Sequence, residues 1–210
     1  TMDFQKAWEN IGKHTIVFGG NIRQENYTQD KVYLKNWRDY NSIDTSKYNN
    51  GVASTYGGKA RNIALFVQDE YKVSDPLTMY LGLRFDHFKK YDGFSKFYDK
   101  NTGTYTGGDK YDSLSYNELS PKIAFDFKAD DSTNYFASYG HSFNPPGLYM
   151  LYRSTTYTGD YGTSSPPTFA NPNLDPETSD TFEIGMKKKV NDKTDLGITL
   201  YYVKTDDKIT

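Results

Sequence analysis

The sequence predicts an all-β fold: an antiparallel transmembrane β-barrel segment of about eight strands, with short turns at one end and long loops at the other. Three observations predict it. Amphipathic segments of two-residue period come in pairs joined by a few turn-forming residues. Long connections at 26–59, 91–116 and 145–177 separate the pairs. Each segment reaches the roughly ten residues that a tilted strand needs to cross a bilayer. Tight turns alternating with long loops describe hairpins whose ends face two different environments. Barrels of the bacterial outer membrane have this form, with periplasmic turns and longer extracellular loops.

The elements follow in order. Residues 1–9 form a short first strand with the least pattern, leading into the turn Asn10-Ile11-Gly12-Lys13. In 14–25, Ile16, Phe18, Gly20 and Ile22 face away from Val17, Gly19, Asn21 and Arg23. Strand 60–73 and strand 77–90 are joined by Ser74-Asp75-Pro76. In the latter, Leu77, Met79, Leu81, Leu83 and Phe85 alternate with Thr78, Tyr80, Gly82, Arg84 and Asp86. In 117–129, Pro121, Ile123, Phe125 and Phe127 alternate with Lys122, Ala124, Asp126 and Lys128. Asp130-Asp131 turns this strand into 132–144, and Asn191-Asp192-Lys193 joins 178–190 to 194–206. Asn, Asp, Gly and Pro tolerate or preset turn dihedrals. Successive strand side chains point to opposite faces, so each segment has one apolar and one mostly polar face. The apolar faces are expected to meet lipid. Leu81, Leu83, Ile123, Phe125, Ile198 and Leu200 then share one surface. Arg84, Asp86, Lys122, Asp126, Glu183 and Lys187 share the other. Asp69 and Lys188 strain this assignment, falling among apolar neighbours close to a tight turn, where the cost of a charge is lower.

Composition excludes several classes. A formal charge of −2 gives no electrostatic footprint for nucleic acid. No apolar run is long enough for a membrane helix, which leaves a barrel open because only alternate residues of a strand meet lipid. Zero cysteines exclude disulfides and thiol chemistry, and nothing calls for a cofactor or a metal site. With three histidines (His14, His87, His141), no nucleophile–base constellation is visible, so no catalytic residue is expected. His141 reads as a hydrogen-bonded strand histidine. Tyr (20) and Phe (13) supply most of the aromatic content, as interfacial girdles or simply as good strand formers. In the second connection, Asp99 to Tyr105 reads as a further hairpin turning at Asn101 to Gly103 rather than as a calcium loop.

Four stretches resemble the barrel of TonB-dependent outer-membrane receptors. Ala64-Leu65-Phe66-Val67-Gln68-Asp69-Glu70-Tyr71 precedes a Gly82-Leu83-Arg84-Phe85-Asp86 strand. Leu119-Ser120-Pro121-Lys122 is similar to the family's Ser-Pro strand start. Tyr139 to Tyr149, with Pro145 and Pro146, is similar to its Phe-Arg-Ala-Pro element, although Asn144 and Pro145 stand where the family commonly has Arg and Ala. Asn171-Pro172-Asn173-Leu174-Asp175-Pro176-Glu177-Thr178-Ser179 matches the Asn-Pro-x-Leu-x-Pro-Glu-x-Ser strand entry. The resemblance implies a barrel of about 22 strands closed by a plug. Residues 1–210 are then expected to be part of that barrel domain, with plug and remaining strands lying elsewhere. It further implies a bacterial outer-membrane location, contact with outer-membrane lipid, the TonB complex as partner through the plug, and import of a scarce nutrient, most often a ferric siderophore or similar metal chelate. A passive porin-like barrel and a soluble ligand-binding barrel are the alternatives.

For ligand contact the sequence points to Tyr149, Tyr152, Arg153 and Tyr157 beside the Pro-rich strand tip, with Trp37 in the first connection. Tyr and Trp offer rigid area with a polar handle, and Arg pairs with an anionic chelate. The alternative is that these aromatics pack loop on loop. Haem is disfavoured because residues 144–172 hold no histidine. Gln68, Glu70, Arg84 and Asp86 are expected to face the lumen, bonded to one another across strands.

Overall fold

A computed structural model describes residues 1–153 and 170–209. The chain is one antiparallel sheet whose long strands follow in sequence order: β1 (Met2–Ile11), β2 (His14–Val32), β3 (Val52–Ser74), β4 (Leu77–Tyr98), β7 (Leu114–Lys128), β8 (Thr133–Asn144), β9 (Glu177–Asn191) and β10 (Thr194–Asp206). Two short strands, β5 (Tyr105–Gly107) and β6 (Lys110–Tyr111), pair with the far end of β4, so the sheet has ten strands rather than eight. The described helix, α1 (Leu148–Tyr152), follows β8. The sheet is a portion of a barrel wall and does not close on itself.

The tight turns fall where expected. Gly12 takes φ +63°, a conformation that costs glycine nothing. Asp130 Oδ1 accepts the Ser132 amide and hydroxyl at 2.8 and 2.7 Å, and Asn191 Oδ1 accepts the Lys193 amide at 2.9 Å. Three strands run further than the apolar alternation indicates: β2 continues to Val32, β3 begins at Val52 and β4 ends at Tyr98. The added residues mix polar, glycine and aromatic side chains on both faces, so they carry no two-residue hydrophobic signal. Cross-strand backbone bonding holds them straight, as in the unbroken register from Glu25↔Ala60 to Lys31↔Ser54. The first long connection therefore shrinks to residues 33–51.

The register sorts side chains as expected. Leu81↔Ile123, Leu83↔Pro121, Phe125↔Ala137 and Met186↔Ile198 are paired on one face. Arg84↔Ser120, Gly82↔Lys122 and Ser138↔Glu183 are paired on the other. The apolar face stays uncovered, with Ile198 52% and Leu200 69% exposed. Its belt runs for four or five outward residues per strand, roughly 20–25 Å along the normal of a tilted strand. It stops together across the sheet. After Ile22, Ile63, Phe85, Leu119, Phe182 and Tyr202, the next outward residues are Gln24, Arg61, His87, Asn117, Asp180 and Lys204. Asp69 lies on this apolar face near the turns, its Oδ2 2.8 Å from His14 Nδ1, while His14 stacks on Tyr71 at 4.4 Å. A paired carboxylate beneath stacked rings, near the rim, is how this charge is accommodated.

A spin label at Leu83 or Ile123 in the membrane-reconstituted protein is expected to be accessible to oxygen, which concentrates in lipid. A label accessible only to a water-soluble relaxant would reverse the face assignment.

Candidate ligand-binding surface

Above the belt the second, mostly polar face is not open. Pro145 and Pro146 end β8, and α1 turns back onto β3 and β4, burying Leu148, Leu151 and Tyr152 against Tyr56, Ala60 and Phe88. The seat is cut by two glycines. A Cβ added at Gly58 or at Gly93 would lie 2.3 Å from the Tyr152 ring, so neither position accepts a side chain while the ring is there. The β3–β4 register shifts between Gly57 and Lys59, and Asp92 beside Gly93 takes φ +53°. The extra residue lies on β4 and turns Gly93 towards α1, while Gly58 already shares the inward face of Tyr56 and Ala60. Tyr111 stacks on the remaining ring face at 5.5 Å. Burial pushes the Tyr152 hydroxyl up to about 12, and among the described residues its oxygen has no hydrogen-bond partner. Tyr152 is thus fully buried packing rather than a surface contact, which corrects its place in the set read from the sequence.

Tyr149 and Arg153 take the exposed side of α1. Tyr149, 40% exposed, meets Tyr27 edge-on at 6.3 Å, and the Arg153 guanidinium lies 5.2 Å over the Tyr149 ring. Tyr27 donates to Gln29 Oε1, and the Tyr56 hydroxyl donates to the same oxygen at 2.9 Å. Burial, then the neighbouring tyrosines, push Tyr56 up to about 12. Burial lowers the Lys31 pKa, and the nearby Arg153 charge lowers it further. Two cations and three tyrosine rings thus converge where α1 leaves the wall. A hollow of about 690 Å³ opens beside them, lined by Tyr149, Met150, Arg153 and Asn171 among others. Tyr27, Lys31 and Tyr56 were not singled out in the sequence, because they were assigned to a loop. Trp37 stands apart, 78% exposed, with the Arg38 guanidinium 4.9 Å from its ring. Tyr157 lies outside the described residues.

Beneath α1 a second hollow, about 630 Å³, is lined by Arg23, Asn62, Arg84, Asp86 and Ser120 among others. Arg84 holds Asp86 with two bonds, Nε to Oδ2 at 2.6 Å and Nη2 to Oδ1 at 2.8 Å. Asn62 adds a third at 2.7 Å. The pair therefore closes along its own strand and diagonally to Asn62. Gln68 and Glu70 share the face but lie opposite Gly82 and Tyr80, nearer the turns, so the expected bonds from them to Arg84 and Asp86 are not made. Only Phe85 separates Arg84 from Asp86, so the guanidinium reaches its neighbour more easily than it reaches across the sheet.

Two further groups tie the loops down. Fully buried Lys90 directs Nζ at the Leu174 carbonyl at 3.4 Å and lies 5.3 Å over Tyr116, whose hydroxyl donates to the same carbonyl at 3.0 Å. Burial lowers the Lys90 pKa to about 8. His141 lies 2.9 Å from Asp180 and 3.3 Å from Glu118. It bridges a place where β7 and β8 are no longer paired, since their register ends at Lys122↔Gly140, next to Pro121, which has no amide hydrogen to donate. The Asp99 carboxylate accepts both the Asn101 and Thr102 amides, at 2.9 and 2.8 Å, and is held below the usual range by them. That is a turn cap, in keeping with the hairpin reading.

A family model described as TonB dependent receptor-like, beta-barrel matches residues 1–210. Among solved structures, the ferric yersiniabactin uptake receptor FyuA of Yersinia pestis is 16% identical at a TM-score of 0.63, over 98% of this chain and 28% of that one. The ferric-catecholate import receptor Fiu of E. coli K12, closed form, is 17% identical at 0.64, over 97% and 30%. A double mutant of the Serratia marcescens hemophore receptor HasR, in complex with its hemophore HasA and heme, is 16% identical at 0.57, over 97% and 35%. At such identities the likeness is one of fold. The chain spans about a third of the length of these receptors.

Proposed function

Because this chain belongs to the TonB-dependent receptor β-barrel family, we propose that it forms part of the barrel wall of a bacterial outer-membrane receptor importing a scarce nutrient, with a ferric siderophore or similar metal chelate as cargo and TonB as the source of energy. The observation that carries the reading is the surface of Tyr149, Arg153, Tyr27 and Lys31, held on the polar face by α1 and directly above the hollow at Arg84 and Asp86. Rings gathered beside a guanidinium and an ammonium suit a flat, anionic chelate, giving area through the tyrosines and charge pairing through Arg153. The receptors that share the fold support this cargo class, since two of them carry ferric chelates by name. Haem fits less well, because residues 144–172 offer no histidine as an axial ligand.

In this reading no bond is made or broken. Cargo settles on α1 and the connections around it, the polar face lines the lumen with Gln68, Glu70, Arg84 and Asp86, and the plug transmits the energy of the inner membrane. In the full-length receptor, Tyr149→Ala with Arg153→Gln is expected to weaken binding of a ferric chelate about tenfold or more. The folded barrel's electrophoretic mobility should be unchanged, because neither side chain is buried. Unchanged binding of every ferric chelate that the parent strain uses would reject this surface as the recognition site.

A further inference from the structure

We propose that the outward face just above the apolar belt on β3 and β4 binds the phosphate of an outer-leaflet lipid headgroup, gripped between Arg61 and Lys89. These residues are paired in register, so two cations stand directly opposite each other on neighbouring strands. Cross-strand partners have Cβ atoms roughly 5 Å apart, and like charges at that separation destabilise a sheet. Among the described residues no carboxylate pairs with either. Their other cross-strand partners are Gln24 and Ser115, both uncharged. Of the acids near them, Glu25, Asp86 and Glu118 belong by register to the opposite face, and Asp92 is taken up by Lys59. Among the described residues neither Arg61 nor Lys89 has an ion-pair partner.

The rest of the same rim is built differently. On β8, β9 and β10, His141 lies 2.9 Å from Asp180, and Lys204 lies 2.7 Å from Asp206. Even Lys59, one outward position above Arg61, is taken by Asp92 at 2.9 Å and lies 6.0 Å over the Tyr91 ring. Lys59, His141 and Lys204 on this rim each lie against a carboxylate, whereas among the described residues Arg61 and Lys89 do not.

Position identifies the occupant. Ile63 and Phe85, where the apolar belt ends on these strands, sit two and four positions below Arg61 and Lys89. With about 3.3 Å of rise per residue on a tilted strand, both cations stand roughly 5–10 Å above the hydrocarbon edge. That is the depth of a headgroup layer. A phosphate there takes two bonds from the planar Arg61 fork and one from the Lys89 ammonium. Its acyl chains run down over Leu65, Leu83 and Phe85, which are 47%, 43% and 43% exposed. A soluble anion has the phosphate but no use for that apolar track, so the site commits to a lipid.

The inference rests on the belt facing lipid, and its test separates the two. The full-length receptor, stripped of lipid in neutral detergent, is titrated with bisphosphorylated lipid A. Bound lipid is counted by native mass spectrometry and unfolding temperature is followed. Arg61→Gln with Lys89→Gln is expected to weaken lipid A binding about tenfold, while Lys59→Gln changes it little. Without lipid, the double variant should unfold at the same temperature as the parent or higher, since the repulsion is gone. Adding lipid A should reverse that order, a sign change that mere structural damage cannot produce. Equal lipid A affinity in the double variant overturns the proposal. So does equal binding of dephosphorylated lipid A, or an equal thermal shift from inorganic phosphate alone. A spin label at Leu83 shielded from lipid in the same preparation overturns it at its premise, while a lipid-exposed label with unchanged affinity overturns the patch alone.

Discussion

Gly93→Val is expected to unseat α1 and abolish high-affinity uptake while leaving the membrane-spanning part of the sheet intact. The Tyr152 ring occupies the space that a side chain at position 93 would need, with a Cβ only 2.3 Å away. It is wedged from the other edge by Gly58 and stacked against Tyr111. The ring has nowhere to shift, so the loop that carries it must lift. Losing the burial of one large aromatic costs about 3–5 kcal/mol. A five-residue helix with no side-chain cap at its N-terminus has little else to hold it. Tyr149 and Arg153 leave with it, so the cation–aromatic surface disperses. Trypsin cleavage after Arg153 in the full-length receptor should accelerate tenfold or more, alongside the loss of binding. Tyr152→Phe is the matched control. It keeps the ring and removes a buried hydroxyl that has no partner among the described residues, so it should be neutral or stabilising by about 1 kcal/mol. If Gly93→Val leaves both cleavage and binding at parental levels, α1 is not held by this slot.

How far the sequence reveals this arrangement depends on which physics each part obeys. Where one face is apolar throughout, the two-residue period is strict, and residues such as Leu77 to Phe85 or Leu196 to Tyr202 announce their strand and its orientation. Once β2, β3 and β4 leave the belt, neither face is required to be apolar, and the pattern fades although the backbone ladder continues. Tyr27, Lys31 and Tyr56 were hidden for that reason: they sit on strand extensions that read as loop. The glycine slot was hidden for another. An extra residue at Asp92-Gly93 changes which residues of β4 face inward, and a period count carries straight through it. Gly58 and Gly93 gain meaning only when Tyr152 is seen between them. The Arg84–Asp86 pair was half legible, because two-residue spacing puts both on one face. Its third member, Asn62, is a lone polar residue between Ala60 and Ala64, a signal that becomes informative only with the β3–β4 register in hand.

That same triad yields the second large effect, and its asymmetry is the informative part. Asp86 is 3% exposed, whereas the Arg84 side chain keeps 36% of its surface. Arg84→Ala strips two of the three bonds from a buried carboxylate and leaves Asn62 as its sole donor. Breaking a buried pair in this way costs about 3 kcal/mol. Asp86→Ala leaves behind a guanidinium that can turn towards the hollow and water, so it should cost roughly 1 kcal/mol. Replacing both with alanine removes the orphaned charge altogether and should recover much of the loss, making the double variant more stable than Arg84→Ala alone. The full-length receptor, unfolded by urea in detergent micelles and followed by the band shift of the folded barrel, gives all three midpoints. Strictly additive losses would mean that the pair is solvated lining rather than a coupled unit. An Asp86→Ala loss as large as that of Arg84→Ala would mean that Arg84, not Asp86, is the group that depends on its partner.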